Sequence, residues 1–216
     1  MRLIAAPGKS LRLEIELQEI QVAAMVTTPS QLTFEDYLAY DDGTDHFYEL
    51  VDGELIAVPP ESGENYWIIQ WLRDELVRLV DRRRVATQGC ELQVGGNPQN
   101  RYPDLTVLRP EHIDLTRKRL TITLDMPPPV LVVEAVSPYQ SPRDRNYQRD
   151  YVDKRQQYQD RGIPEYWIID NTAQTVTLQM LVKGIYQARE LSGDQKITSQ
   201  IFPSLDLTAA QILQAH

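Results

Sequence analysis

The 216-residue chain is poor in the side chains that staple or catalyse through sulfur and imidazole. It has one cysteine, Cys90, and three histidines, His46, His112 and His216. A lone cysteine forms no internal disulfide, so a reducing cytoplasm is the expected compartment. The histidines make no Cys/His signature, which leaves a Cys90 nucleophile without an activator. CxxC, HExxH and GxSxG are absent, as are GxGxxG after a strand and GxxxxGK[ST]. Those absences argue against structural zinc, a serine-hydrolase elbow, a dinucleotide site and a P-loop. No apolar run approaches the roughly 18 residues needed to cross a membrane, so no membrane partner is expected. Residues 11–24 alternate apolar positions with Glu14, Glu16 and Glu19. That excludes a signal-peptide core and reads as an exposed strand.

A basic footprint is also missing. The net charge is −9, but it is unevenly spread: residues 1–64 carry 3 basic and 13 acidic side chains, the remainder 19 and 18. Basic clusters stand at Arg82-Arg83-Arg84, Arg117-Lys118-Arg119 and Arg143/Arg145/Arg149. Such a balance argues against tight nonspecific nucleic-acid binding but leaves room for transient, metal-assisted contact with phosphates. Composition is that of a globular protein, 42% hydrophobic and 25% charged. With no repeat, low-complexity tract or Pro/Gly-rich linker, one domain over 31–216 is expected. Residues 1–30 read as an appendage, with Met25 as an alternative start.

The order of elements is mixed α/β. Residues 33–40 predict a short helix capped by Thr33. Residues 47–60 predict a hairpin about Asp52-Gly53, a type I′ signal. Residues 64–83 predict an amphipathic helix, with Ile68, Ile69, Leu72, Leu76, Leu79 and Val80 at helical spacing. Strands follow near 84–94 and 104–109 around the turn GGNPQN. A proline-ended connection over 110–128 holds a short strand, LTITL. PVLVVEAVSP (129–138) is a nearly continuous apolar run and reads as a buried central strand. A helix over 145–162 ends at Gly162 and Pro164. Strands over 165–170, 175–182 and 185–192 follow, the last two joined at Lys183-Gly184, and LTAAQILQA closes the chain as a helix. Trp67, Trp71 and Trp167 read as packing residues rather than base-stacking platforms.

Function is sought where charges interrupt apolar patterns. Glu134 lies inside Val130–Val136, where both strand faces should be buried. A buried carboxylate must be paired, protonated or metal-bound; the structural alternative is an ion pair with an arginine. Asp104 opens a strand behind the rigid Pro103, a position that often serves only as a cap. Lys154 falls within about 20° of Tyr147 and about 40° of Tyr158 on a wheel of about 100° per residue. It shares the sheet-facing stripe with the tyrosines, although a lysine can also snorkel to water. The helix follows the Glu134 strand directly, and the crossover should bring the ammonium near that carboxylate. Glu49 and Glu54 flank the first hairpin turn; Glu49 is an accessory candidate and otherwise a solvated charge.

Asp104, Glu134 and Lys154, in this order, resemble the site of the PD-(D/E)XK nuclease superfamily, with Pro103-Asp104 as its first element and Glu134 as its second. YELVDGELIAVPPES, RYPDLTVL, PPPVLVVEAVSP, RDYVDKRQQYQDRGIPEYWIID and FPSLDLTAAQIL resemble one bacterial branch, the Uma-two family, over roughly residues 31–215. The resemblance implies a restriction endonuclease-like core, a mixed central sheet flanked by helices, with an added C-terminal hairpin and helix. It implies Asp104 and Glu134 as metal ligands, Lys154 and Glu49 as further catalytic candidates, DNA as partner, and a homodimer with one site per strand. Val136 stands where the superfamily has its lysine, and Lys154 takes that role from the next helix. Asn65 stands where many relatives carry histidine.

The residue types suit this chemistry. Two neighbouring carboxylates repel, and a divalent cation with oxygen ligands, Mg2+ or Mn2+, relieves the repulsion. The expected activity is phosphodiester hydrolysis, with Lys154 orienting or deprotonating the water or stabilising charge on phosphorus. The alternatives are a non-catalytic DNA-binding or protein-interaction module on the same fold, and a hydrolase acting on RNA or a small phosphoester.

Overall fold

A computed structural model describes residues 31–215. The appendage, its LRLEIEL strand and Met25 lie outside the described residues. Helix α1 (Phe34–Leu38) begins at Thr33, whose hydroxyl accepts from the Asp36 N–H while the Asp36 carboxylate accepts from the Thr33 N–H. This reciprocal cap satisfies two orphan donors of the first turn. The hairpin β1–β2 (Tyr48–Val51, Glu54–Ala57) turns at Asp52 and Gly53, both at positive φ, as the type I′ reading requires. Alternation along the pair sends Leu50 and Leu55 into a small core with Phe34 and Tyr37. Glu49 and Ile56, directly opposed, take the other face.

Helix α2 (Gly63–Leu76) is shorter than its apolar spacing implies. The Ser62 side chain caps its start. The helix stops at Leu76 because Asp81 caps a separate 3-10 turn, Arg82–Arg84, which redirects the chain into β3 (Val85–Thr87). Leu79, expected on the buried stripe, is exposed. The single strand expected over 84–94 is likewise two. Gln88 and Gly89 both sit at positive φ. They break it into β3 and β4 (Glu91–Gln93), which belong to different sheets.

The main sheet has six strands in the order β11-β10-β9-β8-β6-β3. β6 is Leu105–Val107, β8 Leu131–Ala135, β9 Glu165–Asp170, β10 Thr175–Val182 and β11 Ile185–Leu191. Only β8 and β9 run parallel; the other pairs are antiparallel. β4, β5 (Asn100–Arg101) and β7 (Thr121–Ile122) form a three-stranded sheet, and a short helix, α3 (His112–Leu115), precedes β7. β8 is central, and all five of its residues are buried. That is why its sequence reads as an apolar run rather than an alternation.

The two faces of β8 lead to two cores. Leu131, Val133 and Ala135 pack with Ile68, Ile69, Leu72 and Leu76 of α2 and with Ile212 and Leu213 of the closing helix α5 (Ala209–Leu213). Val132 and Val136 pack on the other side with Tyr158, Ile163, Tyr166 and Leu92. Glu134 shares that second face by alternation. Leu105 pairs with Val133, so the register carries Asp104 opposite Glu134.

The connection from β8 to β9 is helix α4, in three consecutive segments. It starts as Arg145–Tyr147, widens to a π-helical stretch over Gln148–Asp153, and resumes as α-helix over Lys154–Arg161. Gly162, left-handed with φ 78°, ends it. The wide turn shifts residues before Lys154 relative to those after it, so the tyrosine stripe of the uniform wheel splits. Tyr147 and Tyr151 stack 4.3 Å apart, and Tyr151 donates to Asp170, whereas Tyr158 donates to Glu134. Such π turns are rare and frequent at functional sites.

Candidate active site

Three elements bring the charges together. Asp104, just ahead of β6, accepts the Ala135 N–H at Oδ2, 2.8 Å away. This bond fastens the Asp104 carboxylate to the strand that carries Glu134. Glu134 is 2% exposed. Its Oε1 accepts from the Tyr158 hydroxyl at 2.7 Å, and its Oε2 lies 2.8 Å from Lys154 Nζ. Lys154 is also 2.9 Å from Asp150, one helical turn earlier. Asp150 in turn takes two bonds from Arg149, at 3.0 and 3.1 Å. The result is a chain of alternating charge, Glu134–Lys154–Asp150–Arg149, largely shielded from water.

Asp104, Glu134, Lys154, Arg149 and Glu49 all border one cavity of about 660 Å3. Glu49 reaches it from the hairpin, but its carboxylate is held 3.1 Å from Arg101. Glu54, on the other strand of the hairpin, is exposed and does not border the cavity. Asn65, at the start of α2, donates to the Ala135 carbonyl at 3.0 Å and to Glu61 at 2.9 Å. It therefore props the backbone beside Glu134 without supplying an imidazole.

Burial is the main electrostatic influence. It raises the Asp104 pKa well above the usual carboxylate range; the neighbouring Glu134 charge pushes the same way and Lys154 only partly opposes it. Burial also raises Glu134, against the pull of Lys154. At Lys154 burial works against the charge, but Asp150 and Glu134 outweigh it and lift the pKa above the ordinary lysine range. Asp150 is lowered despite its burial because Lys154 and Arg149 both face it. Lys154 is thus a fixed cation and not a snorkelling surface lysine.

The donors present fit a hard divalent cation. Asp104 and Glu134 offer only oxygen, Glu134 is buried and Asp104 half-buried, and one or two carboxylates plus substrate phosphates is the usual Mg2+ arrangement. Among the described residues there is no group of three or more His, Cys, Asp or Glu side chains placed as a complete metal cage.

Sequence reasoning missed Asp150, Arg149 and Asn65. The four-residue spacing from Asp150 to Lys154 and the basic cluster ending at Arg149 were signals for the first two. It also missed two structural acids at the ends of β9. Glu165 accepts from Trp167 Nε1, Ser199 Oγ and the Ile201 N–H, and Asp170 from Tyr139, Tyr151 and the Ala173 N–H. Neutral donors satisfy both, and neither borders the cavity that holds Glu134. Trp71 and Trp167 pack as expected, but Trp67 is 59% exposed. It lies about 100° off the stripe headed by Ile68, which is why its packing role fails. Cys90 is buried, and burial pushes its thiol up to about 12, the wrong direction for a thiolate nucleophile.

A mixed central sheet between helices, with an acid pair at the mouth of its central strands, defines a restriction endonuclease-like α/β protein. A solved structure from Anabaena variabilis ATCC 29413, described as "a putative nuclease belonging to DUF820", shares this fold. It matches with a TM-score of 0.64 at 18% identity, over 85% of this chain and 98% of that one. The family model Uma2, described as "Putative restriction endonuclease", matches residues 34–210, and the chain belongs to that family. No curated protein matches it. Among the described residues, no helix is long and apolar enough to cross a membrane.

Proposed function

We propose that this protein is a metal-dependent nuclease that hydrolyses phosphodiester bonds, with DNA as the leading substrate. The supporting observation is the convergence of Asp104, Glu134 and Lys154 on one cavity, from three separate elements. Family membership supports the same reading.

Asp104 and Glu134 would hold Mg2+ or Mn2+. When bound, such an ion polarises the phosphodiester and lowers the pKa of a water. Asp104 is oriented for the task by the Ala135 N–H, and Glu134 by Tyr158 and Lys154. Lys154, held between Glu134 and Asp150, serves as a fixed positive charge beside the phosphate oxygens. Asp150 holds the ammonium from its other side. Glu49 is an accessory, restrained by Arg101. The net reaction adds one water across one P–O bond and yields a phosphate monoester and a hydroxyl, with no redox change.

The self-satisfied Lys154–Glu134 pair supports a second reading, a non-catalytic nucleic-acid or protein-binding module. The deciding experiment incubates the full chain with labelled DNA and RNA of varied form, with Mg2+ or Mn2+ and with EDTA. Divalent-dependent cleavage of DNA is expected. No cleavage of any substrate would leave the module as the better reading.

A further inference from the structure

The cavity lining is chemically mixed. Its polar lining includes Asp104, Glu134, Lys154, Arg145, Asn146 and Arg149. A contiguous stretch of the lining forms an apolar wall, Ile56, Ala57, Val58, Pro59 and Pro60 with Tyr102, and runs on into Glu61 and Ser62. Strand alternation explains why Ile56 is there. Leu50 and Leu55 take the inner face of the hairpin, which leaves Ile56 beside Glu49 on the cavity side. Ile56 is 45% exposed, so this wall has no partner within the described chain. Tyr102 is braced from behind by Phe47, stacked 4.8 Å away, and by a hydrogen bond between the Tyr37 and Tyr102 hydroxyls.

A hydrolase of intact duplex has little use for such a wall. In a duplex the base faces are stacked inside and only phosphates, sugars and groove edges are presented. Exposing a base costs a few kcal/mol of unstacking, least in strands that are already single. An unpaired strand offers an apolar base face next to each anionic phosphate, and proteins that bind it pair apolar or aromatic platforms with cations. Here Arg145 and Arg149 line the same cavity as the apolar wall. A volume of about 660 Å3 falls in the range that encloses a small molecule. The near balance of 19 basic and 18 acidic side chains after residue 64 also favours a short contact over a long duplex footprint.

We infer that the cavity binds an unpaired nucleotide: the base lies against Ile56, Pro59, Pro60 and Tyr102, and the phosphate faces Arg145 and Arg149. The substrate class is therefore single-stranded nucleic acid, or a single-stranded end or flap. This inference takes the identity of the ligand from the nuclease reading.

Binding tests it separately from cleavage. Anisotropy of a labelled oligothymidylate and of a blunt hairpin duplex with the same phosphate count is measured on the full chain in EDTA, where no metal-dependent turnover depletes the probe. The oligothymidylate should bind about tenfold more tightly than the duplex, the fold-change expected of one base stacked on the wall. Ile56→Asp should abolish that preference. Pro60→Asp is the second wall variant, and thermal melts confirm that both fold. Equal binding, tighter duplex binding, or a preference unchanged in the folded wall variants would overturn the inference. Preferential binding without cleavage of any substrate would sink the nuclease reading and leave this one standing. Cleavage of duplex with no single-strand preference would do the reverse.

Discussion

Lys154 Nζ sits 2.8 Å from Glu134 Oε2, and both side chains are at least nine-tenths buried. A charge in that position cannot be removed as a surface lysine can, because two carboxylates, Glu134 and Asp150, depend on it.

Lys154→Met should therefore lose both activity and stability. Breaking a buried pair by removing one partner costs about 3–5 kcal/mol, and loss of a transition-state cation typically costs about a hundredfold or more in rate. Denaturant melts and cleavage rates check the two effects. A variant as stable as the parent would show that the pair contributes nothing to the fold.

Asp104→Asn should separate the two properties. Burial raises the Asp104 pKa, and Glu134 adds to it. A group whose folded pKa is raised contributes stability below its unfolded pKa and loses it as pH rises through the folded value. The Asp104 carboxylate is therefore a cost at neutral pH. The amide should raise the melting temperature near neutrality, by an amount that shrinks as the pH falls, while cleavage drops about a hundredfold or more. A lower melting temperature at neutral pH would contradict this.

His112 should set part of the acid sensitivity of the fold. It is buried; Nδ1 accepts the Arg109 N–H and Nε2 meets the Pro127 carbonyl. Burial lowers its pKa from 6.5. A lowered value means the stabilisation is complete above the unfolded pKa and is lost as pH falls through the folded one. Stability should be level above about pH 7 and decline below about 6. His112→Gln should flatten that decline; an unchanged pH profile would show that another group is responsible.

Sequence alone reached much of this arrangement, for physical reasons that differ by element. β8 was legible because a strand buried on both faces needs an unbroken apolar run, and Glu134 because it breaks that run. Asp52-Gly53 and Lys183-Gly184 marked hairpins through positive φ. The end of α2 was not legible, since Leu79 and Val80 continue the apolar period past the last helical turn. The break at Gln88-Gly89 looked like strand interior because Cys90 and Leu92 are buried again just beyond it, in a second sheet. The π-helical stretch has no signature in a periodicity that assumes uniform turns. Asn65 was seen only as a departure; its role depends on the Ala135 carbonyl, 70 residues away.

The central claim is that Asp104, Glu134 and Lys154 form a working hydrolytic site. The most direct measurement compares the wild-type chain with Asp104→Ala in a Mg2+- or Mn2+-dependent cleavage assay on single-stranded and duplex DNA, with folding of both proteins confirmed by melting. The account predicts metal-dependent cleavage by the wild type and its near-complete loss in a folded Asp104→Ala. Equal cleavage by the two proteins, or cleavage indifferent to EDTA, would contradict it.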